Sequence, residues 1–109
     1  MITLEQYNEM IDNRWVPLSR VRTRKGVIRL TNGTTCYFCH EFKEHGKCDL
    51  AYKLHGSNCP SPSKDCIELY VAFCDAYEMD DMEGVREHAR KILSVIIELR
   101  GEQYPQTEA

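Results

Sequence analysis

The chain predicts an α-rich α+β fold: a short N-terminal helix, a small β-hairpin, a zinc-stapled loop segment and an antiparallel C-terminal helix pair. Three observations carry this expectation. Apolar residues recur at helical spacing near both ends of the chain. Between them, two short extended-looking runs flank a glycine. The cysteines at 36, 39, 48 and 59 then fall in a stretch, 36–64, with no sustained period of either kind. With 109 residues there is room for one core. Residues 1–103 are expected to form a single zinc-stabilised domain, and 104–109 a flexible tail.

Each element has its own signals. Thr3 followed by Gln6 is a capping-box pattern, and Leu4, Tyr7, Met10 and Ile11 make an apolar stripe, so 3–12 reads as a helix that Pro17 interrupts. Residues 18–22 and 27–30 look extended, and Lys25-Gly26 between them reads as the turn of a hairpin. Asn32-Gly33 is a second turn signal and ends that strand. The 36–64 segment holds Gly46, Gly56, Pro60 and Pro62 and needs a staple to be ordered. Next, Ile67, Tyr70, Val71, Cys74 and Tyr77 repeat at helical spacing, with Ser63 as the expected N-cap. A last helix is expected to start at Asp80 with Glu83 and to bury Val85, Ala89, Ile92, Leu93, Ile96 and Leu99. Gly101 is its expected C-terminal glycine. The short connection between these two helices favours an antiparallel pair.

The chain shows no basic leader followed by an apolar stretch, so a cytoplasmic protein with reduced thiols is expected. Clustered thiols in that setting point to metal. Cys36-Tyr37-Phe38-Cys39 is a C-x2-C knuckle, and Cys48 and Cys59 complete a four-thiolate set for one structural Zn2+. His45, from the His45-Gly46-Lys47-Cys48 knuckle, is the alternative to one of these ligands, and Cys66 is a further candidate. Cys74 reads as core.

The run from Cys36 to Phe73 resembles a group of small, mostly uncharacterised phage-encoded cysteine-rich proteins. Trp15, the Cys36/Cys39 knuckle, the His45/Cys48 knuckle and Gly56-Ser57-Asn58-Cys59 stand at the places of that pattern. The departure is His45, where the pattern usually has cysteine. The resemblance implies a phage or prophage origin and a zinc-stabilised, zinc finger-like accessory protein, with no defined activity. The same knuckle also satisfies C-x-x-C-H through His40, the attachment signal for c-type haem, with Met79 or Met82 as a distal ligand. An iron–sulfur cluster on these thiolates is another alternative.

No nucleophile with its base, phosphate loop or H-E-x-x-H helix is present, so a binding protein is expected rather than an enzyme. Charge suggests how it binds. Between Asn13 and His40 there are six basic residues (Arg14, Arg20, Arg22, Arg24, Lys25 and Arg29) and no acid. From Asp65 to Glu87 eight acids face Arg86 alone, although the whole chain is at −3. Two readings follow. In the first, a host or phage protein binds the scaffold, with the acidic 65–87 surface as its face. In the second, nucleic acid binds Arg20, Arg22, Arg24, Lys25 and Arg29, with Trp15, Tyr37 and Phe38 nearby for stacking. The basic stretch could also pair internally with the acidic helices.

Overall fold

The computed structural model describes residues 2–38 and 68–107, and among them the chain is helical without a strand. The loop segment expected over 36–64 falls almost wholly outside the described residues, as does the N-cap expected at Ser63.

Helix α1 (Leu4–Met10) begins with the capping box formed: Thr3 Oγ1 accepts from Gln6 N–H at 3.1 Å, and Gln6 Oε1 accepts from Thr3 N–H at 2.9 Å. Its path continues through a π-helical turn (Ile11–Trp15) into α2 (Val16–Leu18). Pro17 does not interrupt it. A proline inside a helix lacks the amide hydrogen and crowds the carbonyl four residues back. The wider turn meets this, because Val16 N–H donates to the Ile11 carbonyl five residues back, just ahead of the ring.

The β-hairpin expected over 18–30 is replaced by a turn and a helix. Leu18 ends α2, and Arg20 N–H and Val21 N–H donate back to the Pro17 and Leu18 carbonyls at 3.1 and 3.4 Å. Thr23 then caps α3 (Arg24–Asn32), its Oγ1 accepting from Gly26 N–H at 3.0 Å. Gly26 is no turn residue. It sits in the first turn of α3, where a Cβ would lie 2.8 Å from the Val21 methyl, so it is there for close approach. The second expected strand is the α3 segment that buries Val27 and half-buries Leu30 and Thr31, at i, i+3 and i+4. Asn32-Gly33 does end an element, a helix, with Gly33 N–H on the Arg29 carbonyl at 2.9 Å.

Helices α4 (Glu68–Glu78) and α5 (Met82–Gln103) are joined by three residues into a helical hairpin. The link is a Schellman turn: Asp81 N–H donates to the Ala76 carbonyl at 2.8 Å and Asp80 N–H to the Tyr77 carbonyl at 3.1 Å. Asp80 takes the left-handed position usual for glycine, with φ 58°. The start of α5 therefore moves one residue from its expected place, and Asp81 caps it by accepting from Gly84 N–H at 3.0 Å. At the other end α5 runs past Gly101. Tyr104 N–H donates to the Arg100 carbonyl at 2.8 Å, while Tyr104 Oη–H donates to the Ile2 carbonyl at 2.8 Å. Arg100 reaches Asn8 Oδ1 at 2.8 Å, so the end of α5 is tied to α1.

The core lies between the N-terminal helical path and α5. Tyr7, Met10, Trp15 and Leu18 are buried from one side and Val85, Ala89, Ile92 and Ile96 from the other. Burying each of the Leu, Val, Ile and Met side chains contributes about 1.5–3 kcal/mol. Trp15 stands edge-on to Phe73 of α4 at 5.7 Å, and Tyr7 edge-on to Phe38 at 6.0 Å. Among the described residues no helix is long and apolar enough to cross a membrane.

Candidate nucleic-acid interface

The turn between α2 and α3, with the outer side of α3, forms a basic face. Arg20 and Arg22 are exposed in the turn, Arg24 and Lys25 in the first turn of α3, and Arg29 one helical turn beyond Lys25. Two cations from α5, which the basic stretch itself did not reveal, converge on the same turn. Arg86 Nη1 donates to the Val21 carbonyl at 3.0 Å and Arg90 Nη1 to the Ser19 carbonyl at 3.3 Å. No local sequence signal marks them, since they join the turn across 65 and 71 positions. They hold the backbone from which Arg20 and Arg22 project.

The internal pairing considered for the basic stretch is not found among the described residues. No carboxylate there forms an ion pair with Arg20, Arg22, Arg24, Lys25 or Arg29; Lys91 pairs with Glu87 at 3.8 Å, elsewhere on α5. Arg24 instead lies over the Tyr77 ring, its guanidinium carbon 4.5 Å from the centroid. The first turn of α3 carries no acid, so Arg24 and Lys25 stand at the positive end of its dipole. Each cation there costs about 0.3–1 kcal/mol that a bound anion would offset.

Three residues of the basic stretch and its expected stacking partners are taken out of this face. Arg14 is 4% exposed: its Nη1 donates to the Thr31 carbonyl at 3.0 Å, the Thr34 carbonyl at 3.4 Å and Thr34 Oγ1 at 3.0 Å. Its guanidinium also lies over Trp15, 5.2 Å from the centroid. It holds the fold together. Trp15 and Phe38, expected to stack on bases, are buried core residues. The aromatic beside the cations is Tyr77, from the acidic half of the chain.

Tyr77 also lines a groove of about 170 Å³ between α3 and α4, together with Val27, Ile28, Thr31, Phe73, Cys74 and Glu78. Ile28, 45% exposed, is at its open side. Cys74, expected in the core, packs half-buried against it at this groove.

Of the expected zinc ligands, Cys36 is described, half-buried and packed against the core. Cys39, Cys48 and Cys59 lie outside the described residues, as do His45, Cys66 and the haem-motif His40. Among the described residues no three His, Cys, Asp or Glu side chains gather as a metal site. The approach to the knuckle is nonetheless anchored at three points. Thr34 is held by Arg14, Tyr37 donates its hydroxyl to Glu9 of α1, and Phe38 packs on Tyr7. The bond to Glu9 raises the Tyr37 hydroxyl above its ordinary 10.0, because losing the proton would set two negative groups together. Met79, an expected haem ligand, is 80% exposed in the α4–α5 turn, while Met82 is half-buried on the core.

Comparison of the chain with protein-family models, curated proteins and solved structures finds no match.

Proposed function

We propose that this chain is a small non-enzymatic module that binds nucleic acid in the cytoplasm through the basic face of the α2–α3 turn and α3. One observation supports the reading above the others. Arg20, Arg22, Arg24, Lys25 and Arg29 all stay exposed, and none has a carboxylate partner among the described residues. Cations left to solvent carry a counterion-exchange capacity that a polyanion uses, and phosphates supply most of the affinity of such faces. The acidity that lowers the overall charge belongs mainly to other segments, so the face acts locally despite a net −3. As part of the same proposal, Cys36, Cys39, Cys48 and Cys59 hold one structural Zn2+, with His45 or Cys66 as alternative ligands. Such a site would order the segment that follows α3. A phage or prophage accessory role is compatible with this reading.

The α4–α5 turn favours a second reading. Met79 is exposed there beside Glu78, Asp80, Asp81 and Glu83, a combination suited to a basic protein partner with an apolar contact. One experiment separates the two. Fluorescence anisotropy of a labelled oligonucleotide is followed from low to moderate salt, with wild type and an Arg20/Arg22/Arg24→Ala variant. Nucleic-acid binding is expected to weaken steeply with salt, and the variant's log–log slope is expected to be shallower by about 2. Absence of binding at low salt would overturn the first reading and leave the acidic turn as the face to test.

A further inference from the structure

We infer that the groove between α3 and α4 receives one unstacked base of a single-stranded nucleic acid, so that the basic face prefers single strands to duplex. This rests on the reading of that face as a nucleic-acid interface and names its substrate class.

The groove has the right size and walls. Small-molecule and cofactor pockets run to roughly 300–1,000 Å³. At about 170 Å³ this one is smaller, and a space of roughly 150 Å³ is enough for one six-membered ring. Its α3 wall is aliphatic, with Ile28 at the open side. Its α4 wall is aromatic, with Phe73 buried and Tyr77 half-buried. An aliphatic wall facing an aromatic one suits the flat apolar faces that every base presents.

Charge identifies what the ring is attached to. Arg24 is held at the groove by its contact with Tyr77, 4.5 Å from the ring centroid. Lys25 and Arg29, each one position beyond Arg24 and Ile28, form the neighbouring strip of the same helix. A neutral apolar side chain would gain nothing from that strip and an acyl chain offers no flat face to Phe73 and Tyr77, whereas a nucleotide joins a flat ring to an anion. Glu78 lies on the opposite wall. Its carboxylate repels phosphate and accepts from base N–H groups, so it orients the base inward and the backbone toward α3. Bases in a duplex are stacked and paired, and extracting one is costly. The groove therefore discriminates where the cations alone would not.

The test uses the full chain with single strands of about 16 nucleotides, one DNA and one RNA of the same mixed sequence, and the corresponding DNA duplex, all at one salt concentration. At least one single strand is expected to bind on the order of tenfold tighter than the duplex. Ile28→Asn changes no charge and removes the aliphatic side chain at the open side of the groove, at an exposed position. It is expected to abolish that preference while leaving duplex affinity within about twofold. Circular dichroism and the melting midpoint check its fold, and Ile28→Ala provides a milder truncation of the same wall. Equal affinity for single strands and duplex, or a preference that survives in a folded Ile28 variant, would overturn the base-binding groove and leave the basic face standing. No binding to any of the three would overturn both.

Discussion

The guanidinium of Arg14 donates to the Thr31 carbonyl at 3.0 Å, joining the π-helical turn to the C-terminal end of α3. A cation there complements the negative end of the helix dipole and satisfies carbonyls that the helix leaves open. The same side chain reaches Thr34, two residues before Cys36. Replacing it should therefore loosen both α3 and the approach to the knuckle. Arg14→Met is expected to cost about 3 kcal/mol, read from the urea midpoint. Arg14→Lys is expected to recover only part of this, because an ammonium lacks the planar fork. A midpoint unchanged in Arg14→Met would refute the tie.

Arg86 holds the basic turn without being expected to contact the ligand. Its bond to the Val21 carbonyl is charge-assisted, and removing it in Arg86→Ala should cost about 1.5 kcal/mol. Affinity for a single strand should fall severalfold while the salt slope changes by less than that of a directly contacting arginine. A slope reduced as much as in Arg22→Ala would make Arg86 a direct phosphate contact.

Gly84 leaves room for the Asp81 carboxylate at the start of α5. A Cβ there would collide with the Asp81 carboxylate that caps α5 and would stand 3.2 Å from the Ala76 Cβ. Alanine gains about 1 kcal/mol of helix propensity. Against this stand loss of the cap, about 1 kcal/mol, and overpacking of about 1–3 kcal/mol. Gly84→Ala is thus expected to lower the melting midpoint, and a rise would show that Asp81 moves aside freely.

Tyr37 provides a pH signature. Its hydroxyl is raised above 10.0 by the bond to Glu9, so the unfolded chain releases this proton first. The stabilisation is then fully present below about pH 10 and is lost as pH rises through the folded value. Ultraviolet titration is expected to show a tyrosine step above 10.0 that belongs to Tyr37. Tyr37→Phe should delete that step and Glu9→Gln should bring it back toward 10. A titration unaltered by Glu9→Gln would remove Glu9 as the cause.

The zinc proposal separates the two described cysteines. Elemental analysis of the purified chain is expected to find about one zinc per chain and no visible colour. Cys36→Ser should lose the metal, whereas Cys74→Ser, at the α3–α4 groove, should retain it. Iron with visible absorption would instead support the haem or iron–sulfur alternatives.

The sequence by itself determined features whose signals are local and repeated. The Thr3/Gln6 capping box and the buried stripe of α5 follow from spacing alone, as does the end of an element at Asn32-Gly33. The concentration of positive charge before residue 30 is visible in the same way. Tertiary structure decided the rest. Runs as short as 18–22 and 27–30 cannot separate a period of 2 from one of 3.6. What made them turn and helix was the Thr23 cap and the approach of Gly26 to Val21. Nor does residue type tell one arginine from another. Arg14 is buried on the carbonyl of Thr31, Arg24 lies over Tyr77, and Arg86 and Arg90 come from a distant helix. Burial and convergence depend on which elements pack together, and the groove between α3 and α4 exists only once they do.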